Sequence, residues 1–93
     1  MVMEFEWDPS KATENFRKHG VSFYEAAEAF FDENAVELYD DGHSEDEVRF
    51  QLVGISSIRL LFVGYTVRGE SIRIITARKA NAKQARYYND QKR

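Results

Sequence analysis

The 93-residue sequence contains no cysteine. That excludes disulfides, thiolate nucleophiles and cysteine–zinc sites, and it fits a reducing compartment. No stretch approaches the ~20 consecutive apolar residues of a membrane span. The opening "MVMEFEWD" is acidic and too short in apolar length for a secretory leader, so the expected location is cytoplasmic, without a membrane partner. There are no repeats, linkers or low-complexity tracts. G-x-G-x-x-G, the Walker loop, H-E-x-x-H and G-x-S-x-G are all missing, so dehydrogenase, P-loop, zincin and hydrolase-elbow chemistries lose support. Basic residues are scarce in the first part of the chain. Residues 1–58 carry 4 Lys/Arg against 14 Asp/Glu (net −10), whereas residues 59–93 carry 9 against 2 (net +7), giving −3 overall. The split fits either a surface for a polyanion or mutual attraction of the two halves, and the pI of 5.4 argues against indiscriminate coating of nucleic acid.

What is present suits one compact domain spanning 1–93, with 43% apolar and 14% aromatic residues. "EFEW" alternates as a short edge strand. Asp8-Pro9 is a helix start, and Gly20 suits the left-handed residue that ends the helix. Ala12, Phe16 and His19 are expected on one face of it. Ser22 and Glu25 form a capping box for a second helix, whose apolar stripe is Ala26, Ala27, Phe30 and Phe31. Strands are expected over 35–39, 48–54, 59–66 and 71–77, the third apolar on both faces and therefore central. "VRGE" is a tight hairpin turn, and Asn81 with Gln84 caps a last helix. The expected class is α+β: two N-terminal helices packed on an antiparallel sheet of about four strands, helices on one face, and a C-terminal helix.

Four groups of residues carry possible chemistry. Arg17, Lys18 and His19 precede Gly20 at the elbow between the first two helices. Cations there favour the helix dipole, and His19 is also suited to proton transfer. "YDDGHSEDE" brings Asp40, Asp41, His43 and Glu45 together. They could ligate a divalent ion, but without EF-hand spacing the loop reads first as a solvated connection. Arg49, Arg59, Arg73 and Arg78 form an arginine set. Arg49 and Arg73 occupy the less apolar faces of their strands, and the guanidinium fork matches phosphate; ion pairs with the acidic half are the competing reading. Tyr87 and Tyr88 are candidates for stacking on bases or for packing the last helix.

"FEWDPSKATENFRKHGVSFYEAAEAFFD", "DDGHSEDEVRF", "GISS" and "IRIITARKA", in this order, closely resemble the BrnT toxins, from Phe5 to Tyr88. That resemblance implies a RelE-like fold and a ribonuclease toxin of a type II toxin–antitoxin system. It implies RNA cleavage without a metal or other cofactor, with the 2′-hydroxyl as nucleophile and inhibition of translation as the outcome. The implied partners are RNA and a BrnA-like antitoxin. The hetero-oligomer formed with that antitoxin would touch DNA only through it and repress its own promoter. Carried onto matching positions, the resemblance makes His19, His43, Arg49, Arg73 and Arg78 catalytic candidates. Lys18 and Tyr88 become RNA-binding candidates. Gln84-Ala85 and Ile58-Arg59 depart from the usual family pattern and raise an alternative, a weakened homologue that only binds an antitoxin. A metal-dependent hydrolase on Asp40, Asp41 and His43 is a third reading.

Overall fold

The computed structural model describes residues 3–40 and 48–91, apart from the side chains of residues 39 and 40. Strand β1 (Glu4–Glu6) leads into helix α1 (Pro9–His19), helix α2 (Phe23–Glu28) and a 3-10 turn (Ala29–Phe31). Strands β2 (Val36–Asp40), β3 (Arg49–Ile55), β4 (Leu60–Arg68) and β5 (Ser71–Lys79) follow, then helix α3 (Ala82–Gln91).

Local signals explain the helix ends. The Asp8 carboxylate accepts the Ser10 N–H at 2.8 Å, and Pro9 opens the helix without losing a hydrogen bond. Gly20 has φ 70°, and its N–H reaches the Phe16 carbonyl at 2.8 Å, so α1 stops where the sequence predicts. The cap of α2 is only half the expected box. Ser22 Oγ accepts the Glu25 N–H at 3.0 Å, but the Glu25 carboxylate turns away to Ser56 and Arg59. In α3 the box is complete: Asn81 N–H donates to Gln84 Oε1 at 2.9 Å and Gln84 N–H to Asn81 Oδ1 at 2.8 Å.

The sheet has five strands, not four, in the order β1-β5-β4-β3-β2. Strands β2 to β5 form an antiparallel meander, and β1 pairs parallel to β5 over Glu4–Glu6 and Ser71–Arg73, which makes the sheet mixed. The N-terminal helical segment covers one face through Ala12 of α1, Val21 of the elbow, Phe23 and Ala26 of α2 and Ala29 of the 3-10 turn, packed on Leu52, Leu61, Val63, Tyr65, Ile74 and Ala77. Helix α3 is on the opposite face, where Tyr88 packs with Val53 and Phe62. The expectation of helices on a single face therefore fails. Strands β3 and β4 present apolar side chains in both directions, and each face needs its own cover.

The expected stripe of α1 is also redistributed. Ala12 packs against the core, but Phe16 is 57% exposed, and Asn15 is the one buried residue of the helix. The α2 stripe is interrupted likewise: Ala26 is buried while Phe31 lies 65% exposed.

Candidate functional site

Paired residues in neighbouring strands point to the same face, so the register defines side-chain rows across the sheet. On the face that α3 only partly covers, one row reads Arg49–Thr66–Arg73–Glu6, the next Gln51–Gly64–Thr76, and the third Val53–Phe62–Arg78. A strict alternation from Arg73 would put Ala77 on this face and send Arg78 into the helix-covered core. The structure does the reverse. Gly64 pairs with Thr76 but Tyr65 pairs with Ile74, so Ile75 is an extra residue in β5, a β-bulge. Beyond the bulge Ala77 is fully buried against the helices, and Arg78 emerges over Phe62, 4.6 Å from the ring centroid.

Arg49, Gln51, Phe62, Gly64, Thr76 and Arg78 consequently surround a concavity of about 300 Å³. Gly64 keeps its floor open, since a Cβ there would meet Thr76 Cγ2 at 2.8 Å. The cavity offers two guanidinium groups beside the Gln51 amide, a set suited to an anionic oxygen cluster. Beyond its contact with the Phe62 ring, Arg78 makes no ion pair or hydrogen bond with another described residue.

The elbow cations lie next to this cavity. Lys11, Lys18, His19, Glu14 and Asn15 line a second groove of about 170 Å³ whose far wall is Ile75 and Thr76. The same two residues line the arginine cavity, so the bulge forms a partition between the grooves. Asn15 fixes the distance between them. Its amide donates to the Val21 carbonyl at 3.0 Å and to the Ala77 carbonyl at 2.8 Å. Its Oδ1 accepts the Ala77 N–H at 3.1 Å and the Thr76 hydroxyl at 3.2 Å. The side chain thus behaves as a short strand paired to the β5 edge beyond the end of β1, and all four of its hydrogen-bonding positions are used.

Other expected residues are placed differently. Arg73 shares the Arg49 row but is bound to Glu6 at 3.0 Å and does not line the cavity. Arg59 is a tie between loop and elbow. Its Nε and Nη2 grip Glu25 at 3.0 and 2.8 Å, and Nη2 also reaches the Gly20 carbonyl at 2.9 Å. Hydrogen bonds from Arg59, helped by Ser56, hold the Glu25 carboxyl below its ordinary pKa against the opposing effect of burial. Tyr88 is only 5% exposed, and its hydroxyl donates to Asp32 at 2.7 Å. Burial and that carboxylate push its pKa up to about 12. It docks α3 and offers no free ring to a base, which corrects its assignment as a stacking residue. His43 and Asp41 lie outside the described residues, as does the Asp40 side chain.

Sequence reasoning missed Asn15, Gln51 and the bulge. A lone glycine inside an apolar strand, here Gly64, is the signal that could have flagged the bulge. Asn15 carries no such signal alone, because an asparagine within a polar helix turn looks solvated.

Comparison with curated proteins finds no match for this chain. Comparison with family models finds one over residues 7–84, described as BrnT, the ribonuclease toxin of a type II toxin–antitoxin system. That span holds Asn15, the elbow, the bulge and every residue of the arginine cavity, and by it the chain belongs to the BrnT family of ribonuclease toxins.

Proposed function

We propose that this chain is an endoribonuclease that cleaves RNA without a metal ion, inhibits translation, and is neutralised by a BrnA-like antitoxin whose complex with it represses their promoter. The observation that carries this reading is the β5 bulge. It turns Arg78 onto the Arg49 face and sets their cavity beside the Lys18–His19 groove.

In the proposed reaction the scissile phosphate sits between Arg49 and Arg78, with the Gln51 amide as a neutral donor. A base removes the 2′-hydroxyl proton, and the 2′-oxygen attacks phosphorus to form a cyclic phosphate. The bond to the 5′-oxygen breaks, and that oxygen takes up a proton. The two guanidinium groups stabilise charge developing on the phosphoryl oxygens. His19, across the Ile75–Thr76 partition, is the described candidate for one proton transfer, and Lys18 attracts the adjoining backbone. His43 keeps its place as the second proton-transfer candidate. Arg73, tethered to Glu6, supports the Arg49 row from its edge. Of the positions that depart from the family pattern, Gln84 caps α3 and Arg59 braces the elbow, and neither lines the cavity.

The test is cleavage of RNA by the purified chain in excess EDTA. Arg49→Ala and Arg78→Ala should each lower the rate by about a hundredfold or more, and His19→Ala by about a hundredfold, with melting temperatures close to wild type. Full activity in both arginine variants removes the cavity from the reaction. Loss of wild-type activity in EDTA would move the chemistry to a metal.

A further inference from the structure

The side of the molecule opposite in character to the arginine cavity carries exposed aromatic rings on an acidic background. Tyr24 is 77% exposed and Phe31 65% exposed. They are seven positions apart, on the outward face of α2 and the 3-10 turn that continues it. Each is seated edge-on against an aromatic from the β1 segment: Tyr24 against Trp7 with centroids 5.0 Å apart, and Phe31 against Phe5 at 6.1 Å. Phe16, across a groove of about 290 Å³ that includes Trp7 and Tyr24, extends the stripe onto α1. These rings are held by a folded scaffold, so their exposure is built in, and a partner would spend little entropy ordering them.

We infer that this stripe is the docking surface for the antitoxin, and that the occupying segment is an amphipathic helix with apolar anchors flanked by Lys or Arg. The inference rests on the family's requirement for a protein antitoxin and not on the ribonuclease chemistry. Two observations select this occupant. Anchors seven residues apart, about 10 Å along a helix, match the spacing of one apolar stripe on a partner helix. The charge around them is negative: Glu28 stands between Tyr24 and Phe31, Asp8 follows Trp7, and the nearby Arg17 is already paired with Glu14. An acidic rim repels RNA and a second copy of the same acidic stripe, and it attracts a basic helix. The groove ends at Phe16 and Ser22, flanking the elbow that carries Lys18 and His19. A helix seated there would cover the approach to that elbow while leaving the arginine cavity unfilled.

Trp7 is the single tryptophan of the chain and lies within the groove, so it reports occupancy directly. The probe is the purified protein encoded by the neighbouring reading frame, titrated into this chain. Trp7 emission should shift on mixing. The double variant Tyr24→Ala/Phe31→Ala should bind about a hundredfold more weakly while melting normally and cleaving RNA at the wild-type rate. Arg78→Ala should bind that protein as wild type does. Unchanged affinity in the aromatic double variant overturns the inference. So does loss of affinity in Arg78→Ala, which would place the antitoxin in the arginine cavity. Absence of any binding by wild type removes the partner. A dimer of the chain alone, dissociated by the aromatic double variant in sedimentation, would assign the stripe to self-association. RNA cleavage is measured separately, so failure of docking and failure of the ribonuclease reading are distinguishable.

Discussion

Asn15 shows how one side chain can hold a site that it does not itself operate. It sits at 6% exposure on the one face of α1 that meets β5, where it satisfies both backbone groups of Ala77. Replacement by Leu keeps the branching of the side chain but leaves buried backbone donors and acceptors without partners, each costing about 1–3 kcal/mol. Asn15→Leu should therefore lose about 3 kcal/mol in urea unfolding at an unchanged m-value; a loss below about 1 kcal/mol would mean that water replaces the amide. Arg59 and Glu25 make the contrasting case. Read from sequence, Arg59 belongs with the phosphate-binding arginines and Glu25 with a capping box. The bidentate contact between them removes both from those roles. The side-chain types were legible, but their partners were 34 positions away in the chain.

At the scale of elements, the helix ends and the hairpin were legible because the signals that make them are local. Asp8-Pro9, Gly20 and Asn81–Gln84 act within one helical turn. The side of the sheet that α3 covers was not legible, since Tyr88 looks the same whichever face it packs on. Its docking depends on the ring against Val53 and Phe62 and on the hydroxyl bond to Asp32, which also receives the Ile55 N–H at 2.9 Å. Tyr88→Phe should cost about 1 kcal/mol, and Tyr88→Ala about 3–5 kcal/mol by leaving a cavity. In the native protein the Tyr88 phenol, with its pKa up to about 12, should titrate above the ordinary tyrosine value near 10, and ultraviolet titration of Tyr88→Phe should lack that step while keeping the later one of Tyr65, whose phenol is also pushed up by burial and Glu37. Because the folded pKa is raised, this contribution to stability is present in full below the ordinary tyrosine value near 10 and fades as pH climbs toward 12.

Across the whole molecule, the charge split seen in the sequence is in part an attraction between the two halves of the chain. Glu25–Arg59 and Glu6–Arg73 are attractions between the acidic and basic parts of the chain. Arg49 and Arg78 both line a cavity, with Lys18 at the adjoining groove. The acidic aromatic stripe lies on the helices of the other side. RNA and antitoxin binding should accordingly respond differently to salt. RNA affinity should fall linearly with log salt, and Arg78→Ala should reduce the slope by about 0.7, the share of one phosphate contact on a single strand. Antitoxin affinity, dominated by buried rings, should change much less over the same range. Equal salt slopes for the two ligands would mean that they compete for the same cations.

By itself the sequence determined the caps, the strands, the central position of β4, the charge halves and the family. These follow from hydrogen bonds and apolar periodicities within a few residues, or from motifs read in order. Only the tertiary structure decided that β1 joins β5 in parallel and that α3 takes the second face. It alone decided that Asn15 seals the β5 edge and that Arg78 lies beside Arg49. The last of these turns on Ile75, one extra residue opposite Gly64 and Tyr65. A bulge is a property of two strands in register, fixed by the packing of Ala77 beneath the helices and Phe62 beneath α3, and no single stretch of the chain carries it.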